Sequence, residues 1–300
     1  MIKTQIIDGK ALALAIRQKL KEDIRKLGAQ TKPGLATVLV GDDPASAVYV
    51  RNKIAACKET GIETIDHKLG AATGENELLD LLQRLGGDRR VHGILVQMPL
   101  PPQMRASKIL EAMPEEKDAD GFGVKNWGRL YQAKSLTELE NCFIPCTPLG
   151  ILKMLEAYRV NPEGKMACVI GRSNIVGKPM AHLLTLHNAT VTVCHSKTKK
   201  LAEITRRADI LIAAIGRPRF VTKEMVKEGA CVIDVGINRM NDERLVGDCD
   251  FEGLSQRSGL ITPVPGGVGP MTIAMLLANT IKAWKRTLNS RSTSDTRIEK

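Results

Sequence analysis

Aromatic side chains are scarce in this chain. Four Phe, three Tyr and two Trp give an aromatic content of 3% in 300 residues. Because 43% of the residues are nevertheless hydrophobic, the sequence predicts a substantial core built from aliphatic side chains. Each Tyr or Trp is therefore a candidate for a specific contact and not only for bulk packing.

Patterns typical of metal sites, disulfides and membrane spans are also missing. The five His form no cluster with ligand spacing, and the seven Cys form no C-x-x-C pair. An odd number of Cys, several of them in apolar runs, favours reduced thiols. No stretch reaches the roughly 18 apolar residues of a membrane span, and the first ten residues lack the apolar region of a signal peptide. We expect no bound metal, no membrane association and a cytoplasmic location.

The charge balance is basic, with 44 Lys and Arg against 33 Asp and Glu and a net charge of +11. The basic residues are scattered, without zinc-finger spacing or a basic tract interleaved with aromatic residues. A nucleic-acid partner is therefore not expected. Small polyanionic ligands such as phosphorylated dinucleotides suit this charge equally well.

Two series of alternating strands and helices organise the chain. The first series consists of strands at 2–7, 35–40, 63–69 and 91–96 with helices at 10–27, 46–61 and 75–85. After a helix at 149–158, the second consists of strands at 166–170, 190–194, 210–215 and 231–235 with helices at 179–186 and 201–208. Such alternation predicts parallel sheets with helices on their faces.

We therefore predict an α/β protein of two domains with a cleft between them. The N-terminal domain, residues 1–146, is a three-layer α/β domain with a parallel sheet, which a helix at about 272–288 rejoins. Residues 147–271 form a Rossmann-like domain. Residues 123–140 are predicted to be irregular. Residues 289–300 hold almost no apolar side chain and are predicted to form a mobile tail.

A loop rich in Pro and Gly, from Ile261 to Thr272, precedes the last helix. It holds three residues of each type. Glycine lets backbone approach a ligand closely, and proline holds the shape of the loop. Thr272 is a candidate cap for the helix that follows. The alternative is an ordinary turn, but the rest of the chain favours one wall of a site closed by both halves of the molecule.

A second loop, from Gly171 to Gly177, joins a predicted strand to a predicted helix, the arrangement that holds phosphate at a helix N-terminus. Arg172 and Ser173 follow the strand directly, and the next strand ends in His-Ser-Lys-Thr-Lys-Lys at 195–200. NAD sites usually carry an acidic residue at that strand end, whereas hydroxyls and cations suit the 2′-phosphate of NADP. A tight strand–helix turn and a solvated surface turn are the alternatives.

Several chemically distinct side chains are predicted to meet at one edge of the first sheet. Tyr49 and Lys53 are four residues apart on a predicted helix and share a face. Gln97 ends a strand, and Asp118 and Asp120 lie in a Gly-containing loop. Taken singly, Tyr49 and Lys53 suggest a surface pair and Gln97 a strand-end cap. Taken together, they suit a flat heterocycle with hydrogen-bond donors.

Seven ordered motifs resemble the bifunctional methylenetetrahydrofolate dehydrogenase/methenyltetrahydrofolate cyclohydrolase family over about residues 2–285. They are YVRNK at 49–53, VQMPLP at 96–101, KDADGF at 117–122, PCTP at 145–148, GRSNIVGKP at 171–179, VIDVGIN at 232–238 and PVPGGVGPMT at 263–272. The resemblance implies oxidation of 5,10-methylene-tetrahydrofolate with NADP⁺, then hydrolysis of the methenyl product to 10-formyl-tetrahydrofolate. It also implies a homodimer.

The resemblance implies roles for individual residues. Tyr49 would stack on the folate, and Lys53 would be the acid/base group of the cyclohydrolase step. Gln97 would orient Lys53 and the reacting water, and Asp120 would bind the amino-pyrimidine edge of the pterin. The other substrate-binding residues would be Val96, Met98, Pro265, Gly266, Gly267, Val268 and Gly269. The NADP-binding residues would be Gly171, Arg172, Ser173, Ser196 and Ile237, the last behind the nicotinamide.

The implied chemistry agrees with these residue types. Hydride transfer depends mainly on positioning. In the second step the methenyl cation disfavours the ammonium form of Lys53, so the neutral amine is available as a base. The chain departs from the family at Met98, Ala55 and Gly123, where leucine, lysine and histidine are usual. Another NADP-dependent dehydrogenase on the same plan, or a non-catalytic nucleotide- or RNA-binding module, are the alternatives.

Overall fold

The computed structural model of the protein describes residues 4–29 and 31–295. The start of the strand predicted at 2–7 and the end of the predicted tail, residues 296–300, lie outside the described residues. The strands are β1 Gln5–Ile6, β2 Gly34–Val40, β3 Glu63–Leu69, β4 Gly93–Val96, β5 Met166–Ile170, β6 Thr190–Cys194, β7 Ile210–Ala213, β8 Cys231–Asp234, β9 Asn238–Arg239, β10 Leu245–Val246 and β11 Leu260–Ile261. The helices are α1 Gly9–Leu27, α2 Pro44–Thr60, α3 Glu75–Gly87, α4 Ala106–Glu111, α5 Val124–Gln132, α6 Cys146–Ala157, α7 Gly177–Leu186, α8 Leu201–Thr205, α9 Phe251–Leu254 and α10 Val268–Asp295.

The chain divides into two compact units. The six-stranded unit contains the described residues of Met1–Leu14, Tyr131–Glu140 and Pro145–Thr272. The three-stranded unit contains those of Ala15–Leu130, Asn141–Ile144 and Ile273–Lys300. The domain limits given above from the sequence stay a prediction.

The three-stranded unit is built on a parallel sheet in the order β3-β2-β4. All seven residues of β2 are buried, as expected for a central strand covered on both faces. Residues of β2, β4 and α3 form an aliphatic cluster that includes Val38, Leu78, Leu82 and Ile94. The predicted aliphatic core is confirmed here, because this cluster holds no aromatic side chain.

The six-stranded unit has the strand order β6-β5-β7-β8-β11-β1, and every neighbouring pair is parallel. From β5 the chain proceeds to β6 on one side and to β7 on the other, so β5 is the point at which the order reverses. In open parallel sheets, ligands bind outside the carboxyl ends of the strands at this point. The predicted α/β class, with parallel sheets and a Rossmann-like second half, is confirmed.

Three local predictions were wrong. Residues 123–140 contain α5; Trp127, Leu130 and Tyr131 have helical spacing, but Gly128 obscured the pattern. Thr272 is not a helix cap, because α10 begins at Val268 and Thr272 lies in its second turn. The predicted extent of the last helix, about 272–288, was too short, because α10 extends from Val268 to Asp295; the mobility expected for residues 289–300 stays a prediction.

Among residues 4–29 and 31–295, none of the helices combines the length and the apolar character needed to cross a lipid bilayer. Within the same described ranges, His, Cys, Asp and Glu nowhere form a group of three or more that could hold a metal ion.

Candidate functional site

Lys53 lies on the buried face of α2. Asp43 caps this helix by accepting a hydrogen bond from the Ser46 N–H at 2.7 Å, and Pro44 occupies its first turn. The buried residues that follow at alternating spacings of three and four, as on one helix face, are Val50, Lys53, Cys57 and Thr60. A lysine in such a stripe is uncommon unless a polar partner satisfies its amine.

The partner is Gln97. Lys53 is 9% exposed, and its Nζ donates to Oε1 of Gln97 at 3.1 Å. Gln97 directly follows β4; its backbone N–H donates to the Val38 carbonyl of β2 at 2.9 Å, and its Nε2 donates to the Met98 carbonyl at 2.6 Å. These bonds orient the carboxamide so that its oxygen faces the amine. The structure therefore brings together two residues that lie on different elements in the sequence.

Cys57 and Tyr49 lie one helical turn from Lys53 on α2. Burial, more than the charge of Asp66, raises the pKa of the Cys57 thiol to about 12, so the thiol one turn after Lys53 stays protonated at neutral pH. Tyr49, one turn before Lys53, is 37% exposed. The two residues next to Gln97 differ, since Val96 is buried at the end of β4 and Met98 is half-buried.

Asp118 and Asp120, paired in the sequence interpretation, have different environments. Asp118 is buried and accepts hydrogen bonds from the Phe122 N–H at 3.1 Å, the Gly123 N–H at 2.8 Å and Asn126 Nδ2 at 2.9 Å. Burial raises the pKa of its carboxyl to about 6, and the charge of Asp120 acts in the same direction. Asp118 thus holds the loop that carries Asp120.

The loop that carries Asp120 is fixed beside β4. A parallel bridge pairs Asp118 with Ile94 of β4, and the Ala119 carbonyl accepts a bond from Asn279 Nδ2 at 2.9 Å. Asp120 itself is 8% exposed. In the three-stranded unit, α2, the end of β4 and this loop therefore supply the amine, the carboxamide and the carboxylate predicted from the sequence.

In the six-stranded unit, the loop from Gly171 to Gly177 leads from β5 into α7. Gly171 has φ 126°, and a Cβ there would overlap the Ala214 carbonyl; a Cβ at Gly177 would overlap the Gly171 carbonyl. Glycine is therefore required at both ends of the loop. Ser173 Oγ accepts bonds from the N–H groups of Val176 at 3.2 Å and Gly177 at 3.3 Å, and it stabilises the start of α7.

The exposed side chains at this sheet edge suit a phosphorylated ligand. Arg172 is exposed directly after β5, and Ser196 and Lys197 are exposed after β6. The turn after β6 is closed locally, because the His195 N–H donates to Thr198 Oγ1 at 2.9 Å. No carboxylate lies between residues 195 and 200. NADP fits this edge for three reasons. The loop glycines let the backbone approach a phosphate, the N-terminus of α7 favours an anion, and the cations and hydroxyls can bind further phosphate oxygens.

The loop predicted to line a ligand packs within the six-stranded unit. The Gly266 carbonyl accepts a bond from the Lys10 N–H at 2.8 Å, and a Cβ at Gly9 would overlap the Gly267 carbonyl. Pro265 is exposed, Val268 and Gly267 are buried, and Gly269 is half-buried. These contacts explain the glycines structurally, and the role of the loop in ligand binding stays a prediction.

Ile237 follows β8 and is 41% exposed. A Cβ at Gly269 would lie 3.6 Å from Ile237 Cδ1, so the side chain borders the Pro- and Gly-rich loop. The sequence interpretation missed the group that supports this region, the buried carboxylates Asp234 and Asp248. In the sequence, the nearby glycines Gly236 and Gly247 are the hint of this pair. Their importance can be recognised only when the contacts are known.

One unit has a parallel sheet with a glycine loop before a helix, which suits dinucleotide binding. The other holds a buried lysine–carboxamide pair, which suits acid–base chemistry. These features define the class of the protein as an α/β enzyme. Comparison with known proteins identifies the family. A model of the tetrahydrofolate dehydrogenase/cyclohydrolase catalytic domain matches residues 7–120, and a model of the NAD(P)-binding domain of the same proteins matches residues 145–288. The chain belongs to the tetrahydrofolate dehydrogenase/cyclohydrolase family, as its seven motifs predicted.

Individual relatives agree over nearly the full length. The bifunctional protein FolD of Moorella thermoacetica is 54% identical over 283 residues, which cover 94% of this chain and 99% of the relative. A crystal structure of the bifunctional enzyme FolD from Campylobacter jejuni is 49% identical with a TM-score of 0.91, covering 95% of this chain and 99% of that one. The Trypanosoma brucei FolD, solved with NADP cofactor and inhibitor, is 37% identical with a TM-score of 0.89, covering 96% and 99%.

Proposed function

We propose that the protein oxidises 5,10-methylene-tetrahydrofolate to 5,10-methenyl-tetrahydrofolate with NADP⁺ and then hydrolyses the product to 10-formyl-tetrahydrofolate. The observation that carries the proposal is the contact of 3.1 Å between Lys53 Nζ and Gln97 Oε1 in a family member. It provides a proton-transfer group beside a neutral hydrogen-bond acceptor, which the hydrolysis step needs.

In the first step, bound NADP⁺ accepts a hydride from the one-carbon bridge of the folate. The protein contributes binding and orientation. Gly171 and Ser173 would hold phosphates at the start of α7, Arg172 and Ser196 would bind the 2′-phosphate, and Ile237 would support the nicotinamide. The exposed positions of Arg172, Ser196 and Ile237 support these roles.

In the second step, water adds to the methenyl carbon. The amine of Lys53 takes the proton that the water loses, and Oε1 of Gln97 orients the amine and the water. The proton then passes to N5 as the bond between N5 and the one-carbon unit breaks. The hydroxyl on that carbon loses its remaining proton to solvent and becomes the carbonyl of a formyl group on N10. The step consumes one water, releases one proton and needs no oxidant. Arginine could not replace Lys53, because a guanidinium does not give up its proton.

Folate recognition is assigned to the remaining predicted residues. Tyr49, which is 37% exposed, would stack on the folate, and the carboxylate of Asp120 would accept bonds from the amino-pyrimidine edge of the pterin. Val96 and Met98 would contact the substrate beside Gln97, and the segment from Pro265 to Gly269 would line it. The structural duty of Asp118 in the loop supports Asp120, and not Asp118, as the binding carboxylate.

We propose NADP⁺ as the preferred oxidant because the edge after β6 offers Ser196 and Lys197 without a carboxylate. A cytoplasmic location is supported by the seven cysteines, all of which are buried thiols. A homodimer is proposed from the resemblance, and the exposed apolar residues Met166 and Val193 of β5 and β6 are compatible with a protein partner. We propose no nucleic-acid or membrane partner.

A spectrophotometric assay tests the proposal. The purified protein is mixed with 5,10-methylene-tetrahydrofolate and either NADP⁺ or NAD⁺, and NADPH or NADH absorbance is followed. We expect NADPH to form, with NAD⁺ a poorer oxidant, and added methenyl-tetrahydrofolate to be hydrolysed without any dinucleotide. Absence of both reactions under conditions where the protein is folded would contradict the proposed function and favour one of the alternatives named from the sequence.

A further inference from the structure

Two buried carboxylates lie close together in the six-stranded unit, one at the carboxyl end of β8 and one just after β10. Asp234 is the last residue of β8, and Asp248 follows β10; they are 3% and 0% exposed. Neither belongs to the residues that the proposed reaction uses. A buried carboxylate is costly unless its oxygens are satisfied, so its hydrogen bonds indicate what it holds.

Asp248 binds two separate loops. Its Oδ2 accepts from the N–H groups of Ile215 at 2.7 Å and Gly216 at 3.0 Å. Its Oδ1 accepts from the Arg217 N–H at 2.8 Å and from Asn238 Nδ2 at 3.0 Å. Residues 215–217 follow β7, and Asn238 belongs to the segment that follows β8. The carboxylate therefore ties these two strand ends together with four donors.

Asp234 in turn fixes the backbone at Asp248. Its Oδ1 accepts from the Asp248 N–H at 2.8 Å, and its Oδ2 accepts from the Cys249 N–H at 2.9 Å. A Cβ at Gly236 would overlap the Asp248 carboxylate, and a Cβ at Gly247 would overlap that of Asp234. Each carboxylate thus occupies the space that a side chain on the facing segment would need. The backbone around the pair therefore requires glycine at both facing positions.

The two loops lie where the dinucleotide is proposed to bind. Strand β7 neighbours β5 on the side opposite β6, so residues 215–217 flank the crevice next to the Gly171 loop. Ile237, the residue assigned to the nicotinamide, stands directly before Asn238. The group that fixes Asn238 therefore also fixes the backbone on which Ile237 is mounted.

We propose that Asp248 is a positioning residue for the dinucleotide, which sets the loops after β7 and β8 at the spacing that NADP binding requires. This inference rests on the proposed function. Asp248 does not contact the reacting atoms; it acts through residues 215–217 and through Asn238.

Asparagine cannot replace this carboxylate. Each oxygen of Asp248 accepts from two donors, whereas the NH₂ of an asparagine would point donors at donors on one side. The position of the NH₂ group would lose two buried hydrogen bonds. Losing bonds to a buried charged group destabilises the local structure. We expect one of the two loops to move away from its position in Asp248→Asn.

Calorimetric titration of NADP⁺ into Asp248→Asn tests the proposal without requiring turnover. The matched control is Asp242→Asn, which removes the same charge from an exposed pair with Arg244 in the same segment. We expect the Kd for NADP⁺ to rise roughly tenfold or more in Asp248→Asn and to stay unchanged in the control. Hydrolysis of added methenyl-tetrahydrofolate should keep its kcat/KM in both variants, because its acid–base residues lie in the three-stranded unit.

An unchanged Kd in folded Asp248→Asn would overturn the proposal. Should that variant fail to fold, Asn238→Ala removes a single donor and leaves the other three; a Kd raised about twofold to fivefold supports the proposal, and an unchanged Kd overturns it. Failure of the proposed function is a distinct result, since the unsubstituted protein itself would then neither bind NADP⁺ nor hydrolyse the methenyl compound.

Discussion

At the scale of single residues, Lys53 shows how position on a helix decides chemistry. Lys58, the other lysine of α2, is exposed, whereas Lys53 lies in the buried stripe and donates to Gln97. A neutral carboxamide holds the amine in place without binding its proton as a carboxylate would. This arrangement supports the proposed role of Lys53 in proton exchange with water.

The contact proposed between Arg172 and the 2′-phosphate predicts a preference for the phosphorylated dinucleotide. Removal of its guanidinium in Arg172→Ala should weaken NADP⁺ by about tenfold to a hundredfold, because a hydrogen-bonded charge pair with the 2′-phosphate is lost. NAD⁺ lacks that phosphate, so its KM should change little. Dehydrogenase kinetics with each dinucleotide measure the difference.

The control for this substitution is Arg207→Ala, an exposed arginine just before the amino end of β7, at the opposite edge of the sheet. It should leave both dinucleotides unaffected. Equal losses for NADP⁺ and NAD⁺ in Arg172→Ala would show that Arg172 binds a part common to both.

At the scale of elements, the loop after α4 is organised by one carboxylate whose titration should be visible in stability. Asp118 has a pKa raised from 3.8 to about 6, chiefly by burial. A raised carboxyl pKa contributes stability that is fully present below about pH 4 and is lost as pH rises through about 6. Asp118→Asn cannot titrate. The unfolding free energy of the unsubstituted protein, minus that of Asp118→Asn, should thus fall by about 2 kcal/mol between about pH 4 and pH 7.

Denaturant unfolding at several pH values measures this difference. Asp88→Asn is the control, since hydrogen bonds from Arg90 lower the pKa of Asp88 to about 2. Its contribution is lost only as pH falls below the usual carboxyl range, so the corresponding difference should be constant over the same interval. A flat profile for Asp118→Asn would show that the carboxyl stays ionised throughout.

The turn from β5 into α7 depends on the absence of a side chain at Gly177. In Gly177→Ala the new methyl group would overlap the Gly171 carbonyl, so we expect a loss of about 1–3 kcal/mol in unfolding free energy together with weaker NADP⁺ binding. Gly128→Ala, in α5, is the control because nothing lies within 4 Å of its Cβ position. It should stabilise the protein by about 0.5–1 kcal/mol. Equal stabilities of the two variants, in denaturant unfolding, would contradict this account of the turn.

Elements with a continuous apolar pattern were predictable from the sequence, and contacts between distant segments were not. The runs that became β2, β4 and β5 were identified because buried parallel strands are apolar throughout. Helix α5 escaped because Gly128 interrupts its pattern. Lys53 and Gln97 could be proposed as catalytic residues from the sequence. That Asp118 serves the loop, and that Asp248 ties two strand ends, depends on backbone donors that no residue pattern reveals.

At the scale of the whole molecule, the residues proposed for the two reactions fall into the two units. The three-stranded unit holds Tyr49, Lys53, Gln97 and Asp120, whereas the six-stranded unit holds Arg172, Ser173, Ser196 and Ile237. Oxidation needs dinucleotide and folate bound together, but hydrolysis needs only the folate and the acid–base pair. The two activities should therefore be separable by substitution in one unit.

Product analysis of Lys53→Met tests this account most directly. Methionine keeps most of the length and apolar surface of lysine but cannot exchange a proton. With methylene-tetrahydrofolate and NADP⁺, we expect NADPH to form while methenyl-tetrahydrofolate accumulates, with cyclohydrolase activity reduced by about a hundredfold or more. Lys58→Met, on the exposed face of the same helix, should give 10-formyl-tetrahydrofolate at the normal rate. Hydrolysis of the methenyl compound at the normal rate by Lys53→Met would contradict the assignment of Lys53 as the acid–base residue.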